Sequence, residues 1–235
     1  MGVSARIVTI GIAGGAMIAA AGCGSSAPSS SAGGMGAAKA PSTSELTSSM
    51  RQSVRQADSV HVNGHLSNNG LPVTVNLNVT RNGGVSGTVS ENGAPLQVVA
   101  VNSRVYFKAT QAFLNQVKAP SGVCSLVCGK WIQLQPQQAR QLAGGLNMNS
   151  LTTEPSQAAS LTKTGMVSVQ GQSAYVLKDK QGNTLAVETS PAHYPIQAST
   201  GTSPRQVITY SKWNSAPQPT APPSSKVVNL NQLTK

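Results

Sequence analysis

Negative charge and aromatic rings are both scarce in this chain. Six Asp and Glu stand against 17 Lys and Arg in 235 residues, a formal net charge of +11, and aromatic residues make up only 3%. Charged residues total 10%, well under the quarter usual for a soluble protein. The basic residues are spread from Arg6 to Lys235, and their closest grouping is Lys178-Asp179-Lys180. A nucleic-acid surface gathers basic and aromatic residues together, so this composition argues against nucleic acid as a partner. The positive balance comes from missing acids rather than from a basic patch. It favours loose attraction to an anionic surface.

The materials of catalysis are thin as well. The acids are Glu45, Asp58, Glu91, Glu154, Asp179 and Glu188, with no two adjacent. A carboxylate pair for acid–base chemistry would have to come from distant segments. Of the three histidines, His61 and His65 fall on one face of an expected strand, about 13 Å apart and too far to share a metal ion. No G-x-S-x-G, phosphate loop or dinucleotide fingerprint is present. Ser160-Leu-Thr-Lys163 and Lys163-Thr-Gly165 match two motifs of penicillin-recognising enzymes, but one lysine would have to play two separate parts. We read that match as chance. An enzyme would need two of Asp179, Glu188, His193 and His61 to converge, and the expectation is a non-catalytic protein with no cofactor and no bound metal.

A membrane-spanning apolar run is also lacking. Ile7–Ile18 (IVTIGIAGGAMI) is uncharged, follows Arg6, and falls short of the roughly 20 residues that cross a bilayer. It has the shape of a secretory signal core. Ala20-Ala21-Gly22-Cys23 follows directly and resembles the bacterial lipobox, in which the Cys thiol receives a diacylglycerol and the chain is cut before it. Ala20 departs from that pattern, which more often has Leu there. The resemblance implies a signal peptide over 1–22, an acylated Cys23 and a mature charge of +10. It implies attachment to the extracytoplasmic face of the cell membrane. Residues 24–41 (GSSAPSSSAGGMGAAKAP) are a Gly/Ser/Ala/Pro tether with a reach of about 23 Å. The other two cysteines, Cys124 and Cys128, are expected to close a small loop by a disulfide, which an exported protein keeps oxidised.

From residue 42 to 235 the pattern is that of one folded domain. Ser42-Thr-Ser-Glu45 is a capping box, and Leu46, Met50, Val54 and Ala57 recur at helical spacing. The period then becomes two. Val60, Val62 and Leu66 alternate with polar residues, as do Val73, Val75, Leu77 and Val79, with turns at Asn82-Gly83-Gly84, Glu91-Asn92-Gly93 and Asn102-Ser103. This is an antiparallel meander with one apolar face. Helices are expected at 110–117, after Pro136 (carrying Ala139, Leu142 and Leu146) and at 150–164. Strands return at 166–170, 173–178, 184–189, 196–200 and 206–213. A Pro-rich tail then leads to Lys226–Leu233, a segment able to pair or dock back.

Few bulky side chains are available to fill so large an apolar face, and an apolar cavity is where a lipid binds. The alternative is an ordinary core of small aliphatics, in an envelope protein whose polar sheet face binds a protein or wall polymer. The local sequences Asp58-Ser-Val-His-Val62, Val101-Asn-Ser-Arg-Val-Tyr-Phe107, Trp131-Ile-Gln-Leu134, Val169-Gln-Gly-Gln-Ser-Ala-Tyr-Val176 and Ile208-Thr-Tyr-Ser-Lys-Trp213 resemble those of the actinobacterial LppX/LprA/LprF/LprG lipoproteins, relatives of the LolA/LolB carriers. The resemblance implies an α+β fold, an antiparallel half-open β-barrel with helices over its concave apolar face. It implies binding of acylated lipid or glycolipid in that cavity by a monomer, and carriage within the cell envelope. Val75, Leu77, Val98, Phe107, Phe113 and Leu114 are the expected lining. The Cys124/Cys128 loop is not part of the family's pattern.

Overall fold

The computed structural model describes residues 40–137 and 161–229, except 69, 202 and 204, together with positions 139 and 148. The signal core, Cys23 and nearly all of the tether lie outside the described residues. So do Leu142, Leu146, the expected helix over 150–160, and the chain beyond 229.

The first element is the capped helix. In α1 (Thr43–Gln56) the Ser42 hydroxyl accepts from the Glu45 N–H at 3.3 Å, and the Glu45 carboxylate accepts from the Ser42 N–H at 2.8 Å. Leu46, Met50 and Val54 form its buried stripe. Ala57 turns extended and ends the helix. Its last carbonyls are met from elsewhere in the chain: the Arg81 guanidinium donates to Val54 O at 3.3 Å and to Ala57 O. A cation at that end also suits the helix dipole.

Among the described residues twelve strands follow, in one sheet. They are β1 (Ser59–Asn68), β2 (Leu71–Thr80), β3 (Val85–Glu91), β4 (Ala94–Val101), β5 (Arg104–Lys108), β6 (Trp131–Gln133), β7 (Thr162–Val169), β8 (Gln172–Lys178), β9 (Thr184–Glu188), β10 (Pro195–Ser199), β11 (Val207–Ser211) and β12 (Val227–Asn229). Their spatial order is β12-β6-β5-β4-β3-β2-β1-β11-β10-β9-β8-β7. Two antiparallel meanders, β1–β6 and β7–β11, are joined along one seam where β1 pairs with β11. Among the described strands only β12 runs parallel to its neighbour, β6. The edges, β12 and β7, do not meet, so the barrel is half open.

Between β5 and β6 lie two short helices, α2 (Gln111–Gln116) and α3 (Val123–Val127). Two expectations change here, and one strand is added. The cysteine segment is not a loop but a single helical turn, with Cys124 and Cys128 bridged four residues apart on it. Trp131–Gln133, which leads into the helix start at Pro136, is a strand, because Phe107 and Val227 take up its two edges. Thr162–Thr164, read as the end of a helix, belongs to β7. There Thr162 pairs with Lys178 and Lys163 with Leu177, and a bulge precedes Gly165. Pro136, Gln137 and Ala139 are helical, as expected from Pro136 onward, and Met148 is helical as well.

Candidate functional site

The period-two pattern puts one apolar side chain from each strand on the inner face, and the registers align them into rows. One row reads Ile132, Phe107, Val98, Gly87, Leu77, Val62, Tyr210, crossing β6, β5, β4, β3, β2, β1 and β11. The next reads Leu96, Val89, Val75, Gly64, Ile208, Ala198, Leu185, Leu177 from β4 to β8. Each row contains one glycine, and both are required. A Cβ on Gly87, whose φ is +150°, would lie 2.0 Å from Asn76 O. A Cβ on Gly64 would lie 2.5 Å from Val207 O. Neighbouring backbones close in at these two points, on either side of β2.

The inner face is divided among three apolar clusters. The central one holds Val60, Val62, Val73, Val75, Leu77, Val79, Val98 and Tyr210, with Ala139 and Met148 from the segment after β6 against it. A second joins Leu46 and Met50 of α1 to Leu177, Leu185 and Val187. A third gathers Leu114, Val127 and Ile132, with Phe107, Phe113 and both cysteines at its margin. The six expected lining residues are therefore split. Val75, Leu77 and Val98 meet in the centre, whereas Phe107, Phe113 and Leu114 sit under the α2–α3 cap. Phe107 and Phe113 touch as a tilted pair, ring centroids 6.4 Å apart.

Several positioning residues carry no signal in the sequence beyond their type. Trp213 stacks on Tyr194 at 4.7 Å, and its ring N–H donates to Pro195 O at 3.0 Å. Asn214 accepts from the Asp58 N–H at 2.7 Å and donates to the Tyr194 hydroxyl at 2.8 Å, tying the exit of β11 to the α1–β1 junction. Lys163, the lysine of the two chance motifs, donates to Pro41 O at 2.6 Å and lies 5.2 Å from the Tyr175 ring centre. It pins the start of α1 to the edge strand β7.

The polar candidates serve turns. Asp179 accepts from the Asn183 backbone and side chain at 2.8 and 2.7 Å. Glu188 and His193 do come together, but as one turn. The imidazole Nδ1 lies 3.1 Å from Glu188 O, and the carboxylate accepts from the Ser190 hydroxyl and the Tyr194 N–H. His61 meets Asn78 across β1–β2 at 2.8 Å. Among the described residues no three His, Cys, Asp or Glu side chains gather as a metal site. No described helix is long and apolar enough to cross a membrane.

No family model matches the sequence, and no curated protein matches it. Solved structures do. LprF from Mycobacterium bovis is 15% identical with a TM-score of 0.53, over 77% of this chain and 98% of its own. The lipoprotein LppX of Mycobacterium tuberculosis is 15% identical with a TM-score of 0.50, over 76% of this chain and 100% of its own. The fold is that of LppX and LprF. The LppX/LprF architecture gives the inner face its shape here: a broad half-barrel closed on one side by α1 and on the other by the α2–α3 cap.

Tyr210 is a buried titratable group of this face. Burial pushes its phenol well above the ordinary tyrosine range, because the anion loses its hydration. The folded state thus holds this proton longer than the unfolded one. Its contribution is intact below pH about 10 and is lost as pH rises further. We expect a cooperative loss of structure above that pH, with tyrosinate absorbance from Tyr210 appearing only on unfolding. In Tyr210→Phe the alkaline transition should move to higher pH.

Proposed function

We propose that this chain is an acyl-anchored lipoprotein that holds lipid or glycolipid against the inner apolar face and carries it within the cell envelope. The observation that supports the reading is the broad apolar inner face of a half-open sheet with the LppX/LprF fold. Two glycine-notched rows supply that surface, and separate helical pieces cover it. A cargo chain enters by displacing that cover, α1 and the segment bearing Ala139 and Met148. Each methylene then sheltered from water contributes about 0.8 kcal/mol. Cys23 and the tether keep the domain within reach of its membrane, on the extracytoplasmic side. No step in this cycle needs a catalytic group or a cofactor, and the protein works as a monomer.

The test is retention of cargo. The protein is delipidated, exposed to a total membrane lipid mixture and repurified, and its organic extract is weighed by mass spectrometry. The covalent anchor stays with the protein, so extracted lipid is cargo. Near-stoichiometric acylated lipid is the expected result. Extracts free of lipid at every exposure would leave the rival, an envelope protein that binds through its polar outer face.

A further inference from the structure

The α2–α3 corner presents apolar side chains outward on a fixed support. Val117 and Leu126 are 52% and 53% exposed. Six- and five-residue helices do not hold themselves together in water. These are pinned beneath by Leu114, Val127 and Ile132, and α3 is also closed on itself by the Cys124–Cys128 bridge. Leu126 is thus held out on a stiff turn, where a free loop would let it fold back.

Cations neighbour these two residues along the chain. Exposed Lys118 follows Val117 directly. Exposed Lys130 follows the disulfide, its N–H bonded to Val127 O at 3.1 Å. Lys226 and Lys130 directly precede Val227 and Trp131, the first paired residues of the parallel β12–β6 ladder. Lys108 lines a pocket of about 410 Å³ with Thr88, Gln97, Thr110, Cys128 and Gly129, at the foot of α3. The nearest acid bonded to this cap, Glu91, is engaged by Asn68 at 3.1 Å and Gln116 at 3.5 Å. Among the described residues the ion pair is Arg81–Asp58, so none of these four lysines has a carboxylate partner there.

We propose that the α2–α3 corner docks on an anionic phospholipid bilayer, with Leu126 and Val117 entering the interface and Lys118, Lys130 and Lys226 meeting the phosphates. The pocket beside Lys108 receives one headgroup. Exposed apolar side chains with exposed lysines close by in the chain match such a surface in both its layers. The assignment does not depend on cargo binding and holds equally for a protein that carries nothing.

The experiment uses the full lipidated chain in vesicles, so that the anchor is the same in every variant. A Leu126→Trp probe reports depth through quenching by brominated acyl chains, and Met166→Trp, on β7 at the opposite edge of the sheet, is the control. Circular dichroism and thiol titration confirm that each variant is folded and its bridge intact. We expect quenching of the Leu126 probe in vesicles containing phosphatidylglycerol, little in phosphatidylcholine alone, and none of the control in either. Replacing Lys118, Lys130 and Lys226 by Gln should lower the docked equilibrium about fivefold per lysine, as should high salt in kind. An unquenched Leu126 probe in anionic vesicles overturns the proposal. So does quenching that is equal in the two vesicles and indifferent to the lysines.

Discussion

Gly87→Ala is expected to lower stability by about 3 kcal/mol or more, and the thermal midpoint by about 10 °C. Two costs combine. The new Cβ would stand 2.0 Å from Asn76 O and 2.9 Å from Leu77 Cα, both backbone atoms of the neighbouring strand. The backbone φ of +150° is also one that residues with a side chain rarely adopt. To relieve the overlap β2 and β3 must part, and the row from Ile132 to Tyr210 breaks at its centre. Gly93→Ala separates the two costs. Gly93 has a positive φ as well, +79°, but its Cβ would meet nothing within 4 Å. It should lose only about 1 kcal/mol. Equal losses in urea titrations of the two variants would mean that close approach of the strands is not what Gly87 provides.

Met50→Ala is expected to cost about 2–4 kcal/mol, by the cavity it leaves among Leu46, Leu177, Leu185 and Val187. Met50 is wholly buried, so the loss is one of packing with no polar partner orphaned. The same change loosens α1 on the sheet while its capping box and the Arg81 cap stay in place. If lipid enters by displacing α1, a fluorescent fatty acid should be taken up faster by Met50→Ala than by the parent, at temperatures where both are folded. Slower or unchanged uptake would point to entry elsewhere along the half-barrel. The stability loss should appear either way.

Where one face of a strand is buried, the sequence is easy to read. The alternation of Val73, Val75, Leu77 and Val79 fixes β2 and its inner face, and the Asn-Gly turns fix where it pairs. The capping box likewise marks the first residue of α1. β7 is harder. Thr162-Lys-Thr-Gly lies at an open edge with most of its side chains exposed, so burial leaves no periodic trace. β6 and β12 are three residues each, and their existence rests on each other and on Phe107. The division of the site was not legible for a related reason. Phe107 shares a register row with Leu77 and Val98, but α2 and α3 fold over it and claim it for their own cluster. Which face a residue joins is written in local period. What covers that face depends on contacts between segments far apart.

The seam between the two meanders has a consequence for how the chain reaches this state. β1 is made early, and its outer edge waits for β11, with the Thr209 hydroxyl finally closing on Asn63 O across 146 residues. Until then His61, Asn63 and His65 flank a row of backbone donors and acceptors with no strand to meet them. Contacts so distant in sequence are slow to form, and an open edge recruits other chains meanwhile. A nascent chain is therefore most vulnerable after β5 has paired and before β11 has emerged. A chaperone that shields β1 during that interval would affect yield without touching the finished fold.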